Sequence, residues 1–417
     1  MWNTLVGTIE IIDNKYVFKY DSKFLNNKIE LSPINMPLSP LEYCFDDISF
    51  KTFKGLPGLL ADSLPDKFGD AIIDAWLEST GRDKASFNSI DRLCYIGKRG
   101  MGALEYEPLI EGNYLKQSSN IDIDDMVKLA NEVLTNRKSI NVPKEELKDL
   151  IKVGTSAGGA RAKAIVAYNG VNFKSGQIDA GKGYEYYILK FDGVTNKDKE
   201  KEDTIYQTRI EYAYYLMAKN AKINISDSFL IQNNGLYHFM TKRFDRYIEN
   251  DKMKKLHMQS LCALLHLPFE ITRAFSYEQV VKTMKDLGID NKEIEELFRR
   301  MVFNVIVRNQ DNHIKNVSFL MNRKGVWSLS PAYDITFAYD KTGAWTNKHQ
   351  MLINGKADNI TLEDIIKSGN IMGLKTSKIN QIIEEVKLAT NDFKKIAKEC
   401  YLPDDIIEYI YNEFIKL

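Results

Sequence analysis

Apolar positions recur along this chain at two spacings, and the spacing separates helices from strands. Ile294, Leu297, Phe298, Met301, Val302, Val305 and Ile306 fall at i, i+3, i+4 and i+7. That stripe predicts a helix over 293–308 with one buried face. Met126, Leu129, Ala130, Val133 and Leu134 predict a second over 121–135, and Ile379, Ile382, Ile383 and Val386 a third within 376–398. Residues 59–80 also read as helical, interrupted at Leu64-Pro-Asp66, where proline removes a donor. Strand patterns occur at Leu5–Ile12 and Lys15–Tyr20, around a turn at Asp13-Asn14. Others occur at Ala164–Tyr168, Tyr186–Phe191 and within 228–243. Val317–Leu320 and Val326–Leu329 flank Asn322–Gly325, which predicts a hairpin. Ser32–Pro40 holds three of the ten prolines and is a loop.

The predicted 293–308 helix runs into a polar octet, Asn309-Gln-Asp-Asn-His-Ile-Lys-Asn316, and Pro331-Ala-Tyr-Asp334 follows the hairpin. Asp311 and Asp334 therefore stand at opposite ends of one hairpin, where they can approach each other. Asp311, Asn316 and Asp334 are the types that metal-dependent phosphoryl transfer needs: a carboxylate for the attacking hydroxyl, and an amide and a second carboxylate for the metal. In order and type they resemble a kinase catalytic loop followed by its metal-binding aspartate. The spacing is not that of ordinary eukaryotic-type kinases, and no Asp-Phe-Gly follows. Taken alone, the octet also reads as a solvated loop capped by Asn and Asp.

Three further segments carry charge in apolar or glycine-rich settings. Gly154-Thr-Ser-Ala-Gly-Gly-Ala-Arg-Ala-Lys163 could turn amide N–H groups toward phosphate oxygens, with Lys163 adding a point charge. It is neither a Walker A nor a dinucleotide fingerprint, and reads equally as a flexible surface loop. Lys190 lies in an apolar strand, where a lone ammonium needs a partner or an outlet to water. Glu211, on the amphipathic stretch Arg209–Lys222, is the candidate partner. Phe239–Arg246 is a strand end turning into charge, the composition of an inter-lobe hinge.

Together these residues resemble the HipA family of bacterial serine/threonine kinases, the toxins of HipA/HipB-type modules. The resemblance rests on Gly158–Lys163, Ile188–Lys190, Lys242–Arg246, Asp311–Asn316 and Pro331–Asp334. Gly55–Gly69, Arg92–Gly97 and Gly102–Leu104 resemble the family's N-terminal portion, so the likeness runs through the whole chain in order. It implies a catalytic base at Asp311 and Mg2+ ligands at Asn316 and Asp334. It implies ATP-phosphate contacts from Lys190 and from Gly158, Gly159, Ala160, Arg161, Ala162 and Lys163. Lys242, Arg243 and Phe244 would face the adenine, with His313 and Lys315 completing the nucleotide site and His313 orienting the loop. It also implies an autophosphorylation site at Ser156, beside Thr155. Some members carry Gln-Glu before the loop lysine, whereas this chain has Arg161-Ala162.

Composition narrows the setting. Lysine plus arginine and aspartate plus glutamate number 57 each, so the chain makes no overall electrostatic case for nucleic acid. Cys44, Cys94, Cys262 and Cys400 are widely spaced and read as reduced thiols. The five histidines show no metal-ligand spacing, and His257 and His266 read as core or surface residues. No positively charged leader and no apolar run of about 20 residues is present, which predicts a cytoplasmic protein off the membrane. Lys197–Asp203 is a mixed charge run expected to be a solvated loop, and Asn141–Lys152 is an expected domain boundary.

The expected fold is α+β: a two-lobed protein-kinase-like fold with an N-terminal β-rich subdomain and a mostly α-helical C-terminal lobe. The expected divisions are 1–120, a kinase N-lobe over 121–245 and a C-lobe over 246–417. The expected activity is ATP- and Mg2+-dependent transfer to a protein Ser or Thr, with an aminoacyl-tRNA synthetase as the target that the resemblance implies. The expected partner is a HipB-type helix-turn-helix antitoxin, through which any DNA contact would be made. Two alternatives stay open from sequence: a weakly catalytic co-repressor acting with that antitoxin, and a small-molecule kinase.

Overall fold

The computed structural model describes residues 1–110, 120–135, 161–194 and 206–417. Ser156, Gly158, Gly159, Ala160, the 141–152 boundary and the 197–203 charge run lie outside the described residues. The chain divides into two compact units. The first holds Met1–Leu31, Met36–Thr208 and Asp227–Met258; the second holds Ser32–Asn35, Arg209–Ser226 and Gln259–Leu417.

The first unit opens with the predicted hairpin, β1 (Gly7–Ile12) and β2 (Lys15–Tyr20). Asp13 and Asn14 both take positive φ, 50° and 62°, as a tight two-residue hairpin turn requires. A short β3 (Glu42–Tyr43) adds to β2. Helices follow. Lys67–Ser79 starts where Pro65 ends the preceding segment, and Asp66 caps it by accepting from the Gly69 N–H at 2.7 Å. The Ser89–Ile96 helix has a capping box between Asn88 and Asp91.

A five-stranded antiparallel sheet completes this unit. It comprises β4 (Lys163–Tyr168), β5 (Phe173–Ser175), β6 (Glu185–Lys190), β7 (Ser228–Asn233) and β8 (Leu236–Lys242), in the order β5-β4-β6-β8-β7. Ala164, Val166, Tyr187, Leu189 and Met240 pack in one core with Phe68, Ile72 and Ile73 of the Lys67–Ser79 helix and Met126 and Leu129 of Ile123–Thr135. A further hairpin, β9 (Arg246–Glu249) with β10 (Lys252–Lys255), follows β8.

The second unit is mostly helical. Its central helix, Asn291–Ile306, is capped by Asp290 and buries Ile294, Leu297, Phe298, Met301, Val302 and Val305, the predicted stripe. The Thr376–Asn391 helix buries Ile379, Ile382, Ile383 and Val386. Gly369, on the helix Leu362–Ile371, permits close approach to both of these helices. A Cβ there would meet the Ile379 side chain at 2.7 Å and Phe298 at 3.0 Å. Tyr214, on the helix Gln207–Asn220, is buried and donates to the Val307 carbonyl at 2.8 Å. β11 (His257–Ser260) starts in the first unit, and β12 (Ser318–Met321) and β13 (Trp327–Leu329) form the predicted hairpin, pairing Phe319 with Leu329 and Met321 with Trp327. An antiparallel sheet in one unit and helices in the other are the two halves of the expected kinase-like fold. No helix among the described residues is long and apolar enough to cross a membrane.

Candidate active site

The octet leaves the central helix through Arg308, whose φ of 57° ends the helical path. Short bonds then shape the loop. The Asp311 carbonyl accepts from the His313 N–H at 3.0 Å and from Asn316 Nδ2 at 3.0 Å. The Asn316 N–H donates to the His313 carbonyl at 2.9 Å, closing a single 3-10 turn over Ile314–Asn316. Because its amide nitrogen is committed to Asp311, Asn316 has an oxygen to offer elsewhere.

Asn312 anchors the loop from beneath. Its Oδ1 accepts from the Gln350 N–H at 2.9 Å, and its Nδ2 donates to the Tyr277 hydroxyl at 3.1 Å. The same hydroxyl accepts from Asn304 on the central helix at 3.0 Å. Asp311 remains 43% exposed at its side chain. Trp345 Nε1 donates to Asp311 Oδ1 at 2.6 Å, and His313 Nε2 stands 3.7 Å from the same oxygen. Burial pushes the His313 pKa below its ordinary value, against the pull of Asp311 and Asp334. The ring is therefore held toward its neutral form beside the carboxylate. Its neighbours are Phe269, with ring centroids 5.3 Å apart, and Trp345 at 6.2 Å. Lys315 Nζ lies 5.3 Å from the Phe269 ring centre.

Pro331-Ala-Tyr-Asp334 is fastened through its two middle residues. The Ala332 N–H donates to the Asn224 carbonyl at 2.7 Å. The Tyr333 hydroxyl donates to the Lys315 carbonyl at 2.7 Å and meets Ser318 Oγ at 2.5 Å. Asp334 takes a left-handed φ of 52°, a conformation that Asp and Asn tolerate better than most residues. Asn316 and Asp334 line one cavity of about 30 Å³, whose walls combine polar residues such as Asn309, Asn312 and His313 with apolar ones such as Leu297, Val317 and Met351. Asn309 Oδ1 and His313 Nδ1 are buried there without a hydrogen-bond partner among the described residues. One carboxylate and one amide oxygen fit a hard cation that keeps waters and takes its remaining ligands from phosphate. No group of three or more His, Cys, Asp or Glu suited to a metal occurs among the described residues.

The other expected site residues lie in the first unit. The β4–β6 register sets Lys163 directly opposite Lys190, and β8 sets Phe239 opposite Lys190. Lys190 Nζ is 5.9 Å from the Phe239 ring centre. Lys163 Nζ is 3.1 Å from Asp66 Oδ2, with both side chains buried. Like charges directly opposite on a sheet repel, and the Asp66 carboxylate offsets that repulsion. Arg161 donates to Gln207 Oε1 at 2.7 Å, and Ala162 belongs to the core. Glu211, the expected partner of Lys190, is a buried residue of the second unit.

At the expected hinge, Lys242 bonds Glu185 across the sheet. Arg243 turns inward. Its side chain is fully buried and grips Asp245 through Nε at 2.9 Å and Nη2 at 2.8 Å. Arg246 joins from the other side at 2.7 Å, and the Gly102 N–H donates to Asp245 Oδ2 at 2.7 Å. Despite burial, the two guanidiniums hold the Asp245 carboxyl far below the usual carboxylate range. Gly102 and the trio Arg243, Asp245 and Arg246, from two segments singled out in the sequence, thus form one buried network. Phe244, partly buried, lies between its members in the chain.

Sequence reasoning gave no role to Asp66, Asn312, Tyr333 or Trp345. Asp66, Asn312 and Tyr333 lie inside the segments that carry the family resemblance. Trp345 lies 34 residues from Asp311, with no local pattern to mark it.

A structure of Shewanella oneidensis HipA with HipB and operator DNA superposes with a TM-score of 0.63 at 16% identity, covering 98% of this chain and 92% of that one. The likeness shows a shared fold. A Haemophilus influenzae protein that its name proposes as a kinase is 22% identical over 235 residues, 49% of this chain and 68% of its own length. The HipA N-terminal domain matches residues 1–107, and the HipA-like C-terminal domain matches residues 155–393, more than half of the chain. The chain belongs to the HipA family.

Proposed function

We propose that this protein is an ATP- and Mg2+-dependent serine/threonine protein kinase, the toxin of a toxin–antitoxin pair. The observation that carries the reading is the octet and the segment after the hairpin: Asp311 is half-exposed, and Asn316 and Asp334 line one cavity. In this reading Asp311 takes the proton of the acceptor hydroxyl as that oxygen attacks the γ-phosphorus, while the bond from the γ-phosphorus to the β–γ bridging oxygen breaks and ADP leaves. Asn316 and Asp334 hold Mg2+ through oxygen atoms. The ion, when bound, neutralises charge on the phosphates during transfer. Lys163 and Lys190 steady the nucleotide's phosphates. Lys242, Arg243 and Phe244 belong to the adenine side, where the burial of Arg243 makes it a support for the backbone and leaves Phe244 the contact.

A HipB-type helix-turn-helix antitoxin is the proposed partner. The support is family membership and the assembly that the Shewanella protein forms with HipB and operator DNA. This chain's balanced charge agrees with DNA contact made through the partner. The proposed target is a translation component such as an aminoacyl-tRNA synthetase. Ser156, which lies outside the described residues, is the proposed autophosphorylation site. A phosphate there adds about −1.5 to −2 charges beside the expected phosphate cradle and would disfavour nucleotide.

The test is transfer from γ-labelled ATP to lysate proteins, compared with Asp311→Asn. Label on serine or threonine that needs Asp311 and Mg2+ supports the reading. Label only in a small-molecule fraction, or none while antitoxin-dependent operator binding persists, replaces it with one of the two alternatives. Peptide mass spectrometry of active protein and of Asp311→Asn tests Ser156.

A further inference from the structure

We propose that Trp345 is a positioning residue for the catalytic base, an inference that rests on the kinase reading of Asp311. The indole N–H donates to Asp311 Oδ1 at 2.6 Å. A carboxylate that must accept a proton from an incoming hydroxyl has two rotatable bonds and two equivalent oxygens. A donor fixed to one oxygen sets the plane of the group and leaves the other oxygen to the acceptor. Asp311 stays 43% exposed at its side chain with the indole in place, so the contact does not bury the base.

The donor is itself well held. Asp340 closes the turn that leads to Trp345: its Oδ1 accepts from the Thr342 N–H at 2.9 Å, and its N–H donates to the Thr346 carbonyl at 3.4 Å. Gln350 Nε2 donates to the Trp345 carbonyl and, at 3.1 Å, to that of Lys348. The Gln350 N–H meanwhile donates to Asn312 at 2.9 Å, inside the octet. The same buried glutamine thus ties the segment bearing the donor to the loop bearing the base. Arg273 adds a second tie, reaching Asn347 Oδ1 at 3.0 Å and donating its N–H to the Gln350 carbonyl at 2.9 Å. A residue that merely shielded Asp311 until substrate arrived would need a segment free to leave. This one is bonded to the loop it serves.

The experiment uses the full chain, γ-labelled ATP and dephosphorylated casein as a general Ser/Thr acceptor. Trp345→Phe keeps an aromatic ring beside His313 and removes the indole N–H along with part of the bicycle. Turnover is expected to fall about 10- to 100-fold, the scale of a misoriented reacting group. KM for ATP and the melting temperature should not change. The indole N–H resonance of Trp345, assigned by its loss in Trp345→Phe, should shift in Asp311→Asn. Turnover that is unchanged or raised in Trp345→Phe overturns the proposal, and a rise would make Trp345 a shield. So does a loss shared by KM for ATP and melting temperature, which marks a structural role, or an indole resonance indifferent to Asp311→Asn. Failure of the kinase reading looks different: wild type transfers nothing, or Asp311→Asn transfers normally, and the positioning role then falls with it.

Discussion

Lys163 Nζ stands 3.1 Å from Asp66 Oδ2, and both side chains are 6% exposed. The pair joins the cap of the Lys67–Ser79 helix to the first residue of β4, so it couples the N-terminal 107-residue family domain to the sheet that carries Lys190. The Asp245–Gly102 bond makes the same kind of connection. Asp66→Asn retains a good N-cap and removes the charge, leaving Lys163 buried opposite Lys190. The expected loss is about 3 kcal/mol. Asp66→Ala also removes the cap and should lose about 1 kcal/mol more. Urea unfolding of both variants checks this, and an Asp66→Asn protein as stable as wild type would show that the pair adds nothing.

Asp311→Ala should abolish transfer and leave folding and nucleotide binding nearly intact. The side chain is 43% exposed, and the loop is anchored by the backbone of Asp311 and by the Asn312 side chain. Exposed truncations of this kind change stability by about 0.5 kcal/mol or less. Turnover and ATP calorimetry on the same preparation separate the two effects. Near wild-type transfer would remove Asp311 from the role of base.

Asp334→Asn should weaken Mg2+-dependent nucleotide binding without disturbing the backbone. Asparagine tolerates the left-handed φ of 52° found there, so the substitution changes charge and little else. Asn316→Ala should act in the same direction and also loosen the loop, because its Nδ2 bond to the Asp311 carbonyl is lost. Calorimetry with ATP, with and without Mg2+, reads both. Identical Mg2+ dependence in wild type and both variants would contradict the metal role.

Much of this architecture was legible because it is local. The 3.6-residue stripe located the central helix, Asp13-Asn14 marked a hairpin, and the Asn322–Gly325 turn located another. Asn250 and Asp251 take positive φ in the same way, so the β9–β10 hairpin carried a legible turn hidden by its charged strands. What sequence did not reveal is long-range pairing. Asp66 and Lys163 are 97 residues apart, and Asp311 and Trp345 are 34. Neither partner has a periodicity that points to the other. The same holds for Arg243, whose composition suits a surface hinge and whose burial depends on Asp245 and the 100–102 backbone.

His238 and His257 give the first unit a sensitivity to acid. Both are buried, and burial lowers their pKa from 6.5 to about 4. His238 must be neutral to accept the Asp192 N–H at its Nδ1, 3.0 Å away, and His257 Nε2 contacts the Leu31 carbonyl at 3.1 Å. Because the folded values are depressed, the unfolded chain binds these protons first. The stability they contribute is complete above pH 6.5 and is lost as pH falls from there toward 4. At pH 5 each histidine accounts for a loss of about 2 kcal/mol relative to neutral pH. His238→Gln keeps an acceptor for the Asp192 N–H and does not titrate. Urea unfolding at pH 7.5 and at pH 5 should therefore show a difference about 2 kcal/mol smaller in His238→Gln than in wild type. An equal difference in the two proteins would mean that His238 is not protonated on unfolding in this range.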